Sequence, residues 1–173
     1  MNKIKKMIIA CDGESASGKS TAAKLVSKKY KLLLVNSGLL YRFCSKLVIS
    51  QKPKNVTKFI KKRFDTVSYN TISKQSLHSE KISNHVAYLA KNKKIREIVN
   101  KFQKKIIKSH NRVCVEGRDI ASKILSKNPR YDLAFYFKCS NNVAAYRRWL
   151  DLNKKISLKE VTKSLKKRTL MDK

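Results

Sequence analysis

Gly13-Glu14-Ser15-Ala16-Ser17-Gly18-Lys19-Ser20 sets two glycines, a lysine and a hydroxyl at the spacing GxxxxGK[ST], followed at once by Thr21. Such a loop turns its backbone N–H groups inward and ends on a helix N-terminus, so it cradles phosphates. Lys19 is placed to reach the outer phosphates of a nucleoside triphosphate, and the Ser20 hydroxyl to ligate Mg²⁺. An ordinary glycine-rich turn is the bland alternative. It is disfavoured because the apolar run Met7 to Cys11 precedes the loop and the helix-prone segment Lys19 to Lys29 follows it, which is the strand, loop and helix order that the cradle needs.

The elements that must position this loop alternate along the chain. Lys31 to Asn36, with its continuous Leu32-Leu33-Leu34-Val35, reads as a second, buried parallel strand, and Leu39 to Ser50 as a helix. Gln51 to Ser79 is the least patterned part and reads as an insertion, with a short strand expected at Phe64 to Val67. From Glu80 to Ser109 an amphipathic segment, broken near Lys91 to Lys94, carries Ile95, Ile98, Val99, Phe102 and Ile106 at helical spacing, a core stripe. Arg112 to Glu116 and Tyr131 to Phe137 read as third and fourth strands. Ser140 and Asn141 can cap a helix running to about Asn153, and Ser157 to Met171 forms a last, basic helix. The pattern predicts an α/β fold with a central parallel sheet and chemistry at the carboxyl ends of its strands. Those places hold Asn36-Ser37-Gly-Leu-Leu-Tyr41-Arg42, Gly117-Arg118-Asp119 and Cys139-Ser140. Two of the three carry an arginine whose planar fork pairs with phosphate, so Arg42 and Arg118 are candidates for a second phosphate group beyond the triphosphate. A salt bridge to a surface carboxylate is the structural alternative, weakened by a total of only 11 acidic residues.

At 173 residues and 42% hydrophobic content, one domain with a single core is expected. No apolar run approaches the roughly 18 residues of a membrane span. The basic start is followed by too short an apolar stretch for a secretory signal, so a cytoplasmic protein is expected. Cys11, Cys44, Cys114 and Cys139 form no CxxC pair and read as buried reduced thiols. The 42 Lys+Arg against 11 Asp+Glu, net +31, would ordinarily point to nucleic acid. The lysines are spread along every segment, with no basic tail and no aromatic-interleaved strand, and the abundance of Lys, Asn and Ile also fits an AT-biased coding sequence. No specific nucleic-acid partner is expected, only weak, salt-sensitive adhesion to polyanions.

Five segments together carry a resemblance: Asp12-Gly-Glu-Ser-Ala-Ser-Gly-Lys19, Ser37-Gly-Leu-Leu-Tyr-Arg42, Lys94-Ile-Arg96, Glu116-Gly-Arg-Asp-Ile120 and Ala144-Ala-Tyr-Arg-Arg148. In order and spacing the chain resembles bacterial cytidylate kinases, of the nucleoside-monophosphate branch of the P-loop kinases. The resemblance implies transfer of the γ-phosphoryl group of ATP to CMP or dCMP with Mg²⁺. It also implies a three-layer αβα P-loop fold, with a core over about 1–50 and 95–150, an acceptor-binding insertion over about 51–94 and a helical lid over about 147–173. It places Gly13, Ser15, Ala16, Ser17, Gly18, Lys19, Ser20 and Thr21 in the phosphate loop, with Ser20 on the metal. Ser37, Arg42 and Arg118 match positions on the acceptor's phosphate, and Arg96 and Asp119 the pair that reads the cytosine ring. Arg168 and Asp172 match a mobile segment over the acceptor's ribose and phosphate, and Arg147 and Arg148 resemble lid arginines over ATP. Lys19, Arg118 and Arg168 are the groups expected to stabilise the transferring phosphoryl.

Several positions depart from that pattern. Glu14 stands where the family usually has proline, Ala87 where a base-contacting serine is expected, and the insertion is shorter than in the longer bacterial enzymes. The family's last core strand has no counterpart, so the fourth strand is expected to present an unpaired apolar edge. These residues are then either a fragment of a longer chain or a reduced protein, monomeric or covering that edge by dimerisation. Two other readings compete: another P-loop nucleotide or metabolite kinase, and a catalytically impaired ATP-binding protein.

Overall fold

The structure is a computed structural model that describes residues 5–171. Four parallel strands, β1 (Met7–Gly13), β2 (Leu33–Asn36), β3 (Arg112–Gly117) and β4 (Leu133–Phe137), stand in the order β2-β3-β1-β4. Eight helices accompany them among the described residues: α1 (Lys19–Lys29), α2 (Ser37–Gln51), α3 (Val56–Thr66), α4 (Tyr69–Ser73), α5 (Glu80–Leu89), α6 (Lys93–Lys108), α7 (Asn141–Asp151) and α8 (Leu158–Met171). A π-helical turn, Ile120–Ile124, follows β3.

Alternation along β1 and β3 generates the layers, because successive side chains leave a strand on opposite faces. Ile8 and Ala10 of β1 join Val113 and Val115 of β3, Val35 of β2, Ile106 and Ile107 of α6 and the π-helical turn in one core. Ile9, Cys11 and Cys114 point the other way, against Ala23 and Val26 of α1. Helices thus cover both faces, and the expected three-layer αβα arrangement with a central parallel sheet is what the chain adopts.

The 51–94 region differs from its expected form. The short strand predicted at Phe64 to Val67 is absent; Phe64 lies in α3, and a further helix, α4, follows. The physical reason is legible in hindsight. Asn55 caps α3 by accepting from the Lys58 N–H at 3.0 Å, Ser68 caps α4 by accepting from Thr71 N–H at 3.1 Å, and Val56, Ile60 and Phe64 recur every four residues. That stripe packs with Leu40, Phe43 and Cys44 of α2 and Ile95 and Val99 of α6 into an all-helical core of its own. Phe64 sits edge-on to both Phe43 and Phe102, at ring separations of 5.8 and 4.8 Å. The break expected near Lys91 to Lys94 is real: Asn92 caps α6 by accepting from the Ile95 N–H at 3.2 Å.

β2 is likewise a correction. Only Leu32, before the strand, and Val35 within it are buried; Leu33 and Leu34 are half-buried, because β2 is an outer strand paired with β3 alone. At the other border β4 pairs with β1 only, and Leu133, Phe135 and Tyr136 are 46–59% exposed. The open apolar edge expected of the fourth strand is present among the described residues. Cys11, Cys44 and Cys114 are buried free thiols and Cys139 is half-buried.

Candidate active site

The glycine loop, Ser37 and Arg118 follow directly on the carboxyl ends of β1, β2 and β3. The loop after β1 begins at Gly13, whose backbone runs so close to Phe137 of β4 that a Cβ there would lie 2.4 Å from the Phe137 carbonyl oxygen. Ser17 is buried and its hydroxyl donates to the Glu14 carbonyl at 2.9 Å, closing the loop on itself, while Ser15 and Ala16 are half-buried on its rim. Gly18 caps α1 in the left-handed region, φ 86°, which favours glycine, and has no side chain to satisfy the first turn. The first N–H groups of α1 are therefore left for an anion.

Lys19 stands half-buried at the head of α1, with Ser20 and Thr21 exposed beside it. Burial lowers the Lys19 pKa, the Glu116 and Asp12 carboxylates oppose that shift, and the Arg118 guanidinium adds to it. Arg118 is thus close enough for its charge to be felt at the loop lysine. The carboxylates that act on Lys19, Glu116 and Asp12, come from β3 and β1.

Glu116, at the end of β3, was not singled out by sequence. Its side chain is 3% exposed, one carboxylate oxygen accepts from the Asn36 side-chain amide, and the other has no partner. Burial raises its pKa, while Ser20 and Lys19 pull it back down. A buried carboxylate oxygen left open, with a hydroxyl and an ammonium as its polar neighbours, fits a divalent cation. Its signal in the sequence is its place, an acidic residue that ends an apolar strand run directly before Gly117-Arg118.

Asp12 is the second such residue. Buried at the end of β1, it accepts the backbone N–H groups of Ile120 and Ala121 at 2.7 and 2.8 Å. It thereby pins the start of the π-helical turn that follows Arg118 and Asp119.

A second group of candidate residues is carried by α2 and α6 and by the connection after β3. Asn36 caps α2 by accepting from the Leu39 N–H, and its own N–H donates to the Tyr69 hydroxyl at 2.7 Å. Ser37 is buried, its Oγ accepting from the Gln103 side chain at 3.1 Å. One turn on, Arg42 donates to the Leu77 carbonyl and to Ser83 Oγ at 3.2 and 2.8 Å. Arg96 and Asp119, 23 residues apart in sequence, meet at 3.5 Å, with Lys123 on the same carboxylate oxygen at 2.8 Å. Tyr41 joins them: burial, with Arg96 opposing it, pushes its hydroxyl up to about 12. Ala87 is half-buried on α5.

The two α7 arginines diverge. Arg147 lies over the phosphate loop, its Nη1 3.4 Å from where a Gly18 Cβ would stand, whereas Arg148 lines a cleft with Arg42. Among the predicted residues, Asp172 and the side chain of Arg168 lie outside the described residues. Among the described residues no helix is long and apolar enough to cross a membrane.

The sequence profile described as cytidylate kinase matches residues 9–173. The chain is 34% identical, over 95% of its length, to a bifunctional pantoate ligase/cytidylate kinase of Prochlorococcus marinus (strain AS9601), of which it spans 36%. It is 30% identical to a cytidylate kinase of Mesomycoplasma hyopneumoniae (strain 7448), covering 97% of this chain and 79% of that protein. It is also 30% identical to cytidylate kinase 1 of Borreliella burgdorferi, covering 96% and 81%. The chain therefore spans about a third of the bifunctional relatives and about four fifths of the stand-alone ones. In fold it is similar to the crystal structure of TT1252 from Thermus thermophilus, at a TM-score of 0.50 and 12% identity over 95% of this chain and 80% of that one. With the matching profile covering nearly the whole chain, this protein belongs to the cytidylate kinase family.

Proposed function

We propose that the chain transfers the γ-phosphoryl group of ATP to CMP and dCMP, giving ADP and the cytidine diphosphates. The observation that carries this reading is the meeting of Arg96 with Asp119 at 3.5 Å, since neither residue belongs to the phosphate loop and they come from different elements. Phosphoryl transfer asks the protein to hold two anionic groups in line and to neutralise the charge that spreads over the transferring oxygens. The N–H groups of Gly13 to Lys19 hold the donor's phosphates, Lys19 follows the transferring group, and Arg147 closes over the loop. Ser20 and Glu116 would hold Mg²⁺, which when bound screens the donor phosphates' charge. Ser37, Arg42 and Arg118 take the acceptor's phosphate. No strong general base is needed, because the acceptor is already an oxyanion.

Base choice follows from unpaired groups. The Asp119 carboxylate accepts from the exocyclic amino group of cytosine while Arg96 donates to ring acceptors; a uracil keto oxygen in that place would face the carboxylate without a proton. Residues 51–94 form the acceptor arm, residues 147–173 the lid, and residues 1–50 and 95–150 the core. The setting is the cytoplasm, where ATP is supplied.

The test is ADP release from ATP and Mg²⁺ with CMP, dCMP, UMP and AMP offered separately. Release with the two cytidine acceptors well above UMP and AMP is expected. Equal release with all four overturns the base-reading role, and release with UMP or AMP alone overturns the substrate.

A further inference from the structure

We propose that Gln103 is a positioning residue whose buried amide fixes the Ser37 hydroxyl as a hydrogen-bond donor to the acceptor's phosphate group. The proposal deepens the cytidylate kinase reading and rests on it for the identity of the acceptor; the contact between the two side chains stands apart from it. α6 turns Ile95, Val99, Ile106 and Ile107 into the core, and Gln103 is the polar member of that buried face, at 0% exposure. An aliphatic side chain would complete the stripe. An amide there gives up its hydration and is compensated only through the hydrogen bonds it makes. Its nitrogen donates to Ser37 Oγ at 3.1 Å, while its carbonyl oxygen has no partner among the described residues. Ser37 is held from a second side as well. It opens α2 directly after β2, and the end of β3 comes so close that a Cβ at Gly117 would stand 3.2 Å from the Ser37 Cβ. Arg118, proposed with Ser37 for the acceptor's phosphate, follows Gly117 at once.

A hydroxyl carries one proton and two lone pairs. With a lone pair taken by the Gln103 amide, the Ser37 proton is turned away from α6 and left for a donated bond elsewhere. Phosphate oxygens accept and do not donate once ionised, so a serine held in this sense pairs with them without first breaking an internal bond. In the reverse sense the hydroxyl would donate to the Gln103 carbonyl and its proton would be occupied. That arrangement also leaves the amide nitrogen, with two protons, as the unpartnered end, which costs more than one open carbonyl oxygen. Gln103 therefore acts on the acceptor through Ser37 and not by contact.

The test compares Gln103→Met and Gln103→Glu with the unsubstituted protein by steady-state kinetics at pH 8, varying CMP and ATP in turn, and repeats both in a Ser37→Ala background. Methionine fills the same space and lets the hydroxyl rotate, whereas an ionised glutamate only accepts and draws the Ser37 proton inward. The CMP KM is expected to rise about threefold in Gln103→Met and about tenfold in Gln103→Glu, with kcat and the ATP KM little changed. In the Ser37→Ala background neither substitution is expected to raise the CMP KM further. On lowering the pH, the Gln103→Glu ratio to the parent is expected to fall, because a protonated carboxyl donates to Ser37 as the amide does, while the Gln103→Met ratio stays flat. Should Ser37→Ala fail to fold, the split between the CMP and ATP KM values in Gln103→Met decides. An unchanged CMP KM in Gln103→Met, an equal rise in both KM values, or a rise that persists in full without the Ser37 hydroxyl overturns the proposal, and turnover of CMP in those cases leaves the kinase reading intact. Where the folded parent binds CMP without phosphorylating it, the same ratios are read from the CMP Kd. A parent that neither binds nor phosphorylates CMP overturns the cytidylate kinase reading, and the role of Gln103 falls with it.

Discussion

Glu116 holds opposite demands in one side chain. It is 3% exposed, with one carboxylate oxygen bonded by the Asn36 amide and the other open towards Ser20 and Lys19. Burial raises its pKa, so ionising it in the folded protein costs stability; that cost is absent below the ordinary carboxylate range and grows as pH rises through the raised value. Glu116→Gln retains an acceptor for Asn36 and removes the charge. At pH 7–8 the free variant is expected to be more stable by about 1 kcal/mol, seen as a rise of about 2–4 °C in Tm by calorimetry, and to lose most of its phosphoryl transfer. A drop in Tm at that pH, or retention of full activity, contradicts the role given to this carboxylate. The gain in Tm should shrink as the pH is lowered towards 4, where both proteins carry a neutral side chain at this position.

At the scale of elements, the site depends on one buried carboxylate that ties two strands' ends together. Asp12 leaves β1 and accepts two N–H groups from the π-helical turn after β3, and that turn begins one residue after Asp119. Asp12→Ala strands both donors, and a loss of about 2–4 kcal/mol is expected from denaturant titration. Because Arg118 and Asp119 lead directly into the turn, the CMP KM should rise together with the loss; a variant as stable as its parent would show that the turn is held by other means. Much of this arrangement was legible in the sequence. The Gly13 to Ser20 spacing locates the loop, and the apolar runs locate β1 and β3, because buried parallel strands show as continuous hydrophobic stretches; β4 shows the same kind of run although its side chains are exposed. The meeting of Arg96 with Asp119 came from resemblance alone. α3 and α4 are not legible, because Ser, Thr and Asn serve loops as readily as the caps they form at Asn55 and Ser68, and because the β-prone Phe64 to Val67 masks a four-residue repeat. Glu116 and Asp12 are illegible for another reason: each acquires its role from burial and neighbours that only the packed chain supplies.

For the whole molecule, two features pull against each other. β4 exposes Leu133, Phe135 and Tyr136 along an edge that pairs only with β1, and α7 adds Val143, Tyr146 and Leu150 nearby in sequence. An open apolar edge favours association, whereas the net charge of +31 repels like copies. Salt screens the second and not the first, with a Debye length of about 30 Å at 0.01 M falling to about 10 Å at 0.1 M. Sedimentation of the 173-residue chain is expected to show self-association that grows with ionic strength and is suppressed by Leu133→Lys. Association that weakens with salt would point to charge-mediated contacts instead.

The central claim is that this chain is a cytidylate kinase built on the Lys19 loop, and the most direct test is formation of CDP and ADP from CMP, ATP and Mg²⁺ by the chain and by its Lys19→Ala variant. Equal amounts of CDP and ADP are expected from the parent, with a loss of about 10²–10³-fold or more in the variant while its fold and melting behaviour are kept. A folded parent that binds ATP and makes no CDP, or a variant as active as its parent, contradicts the account.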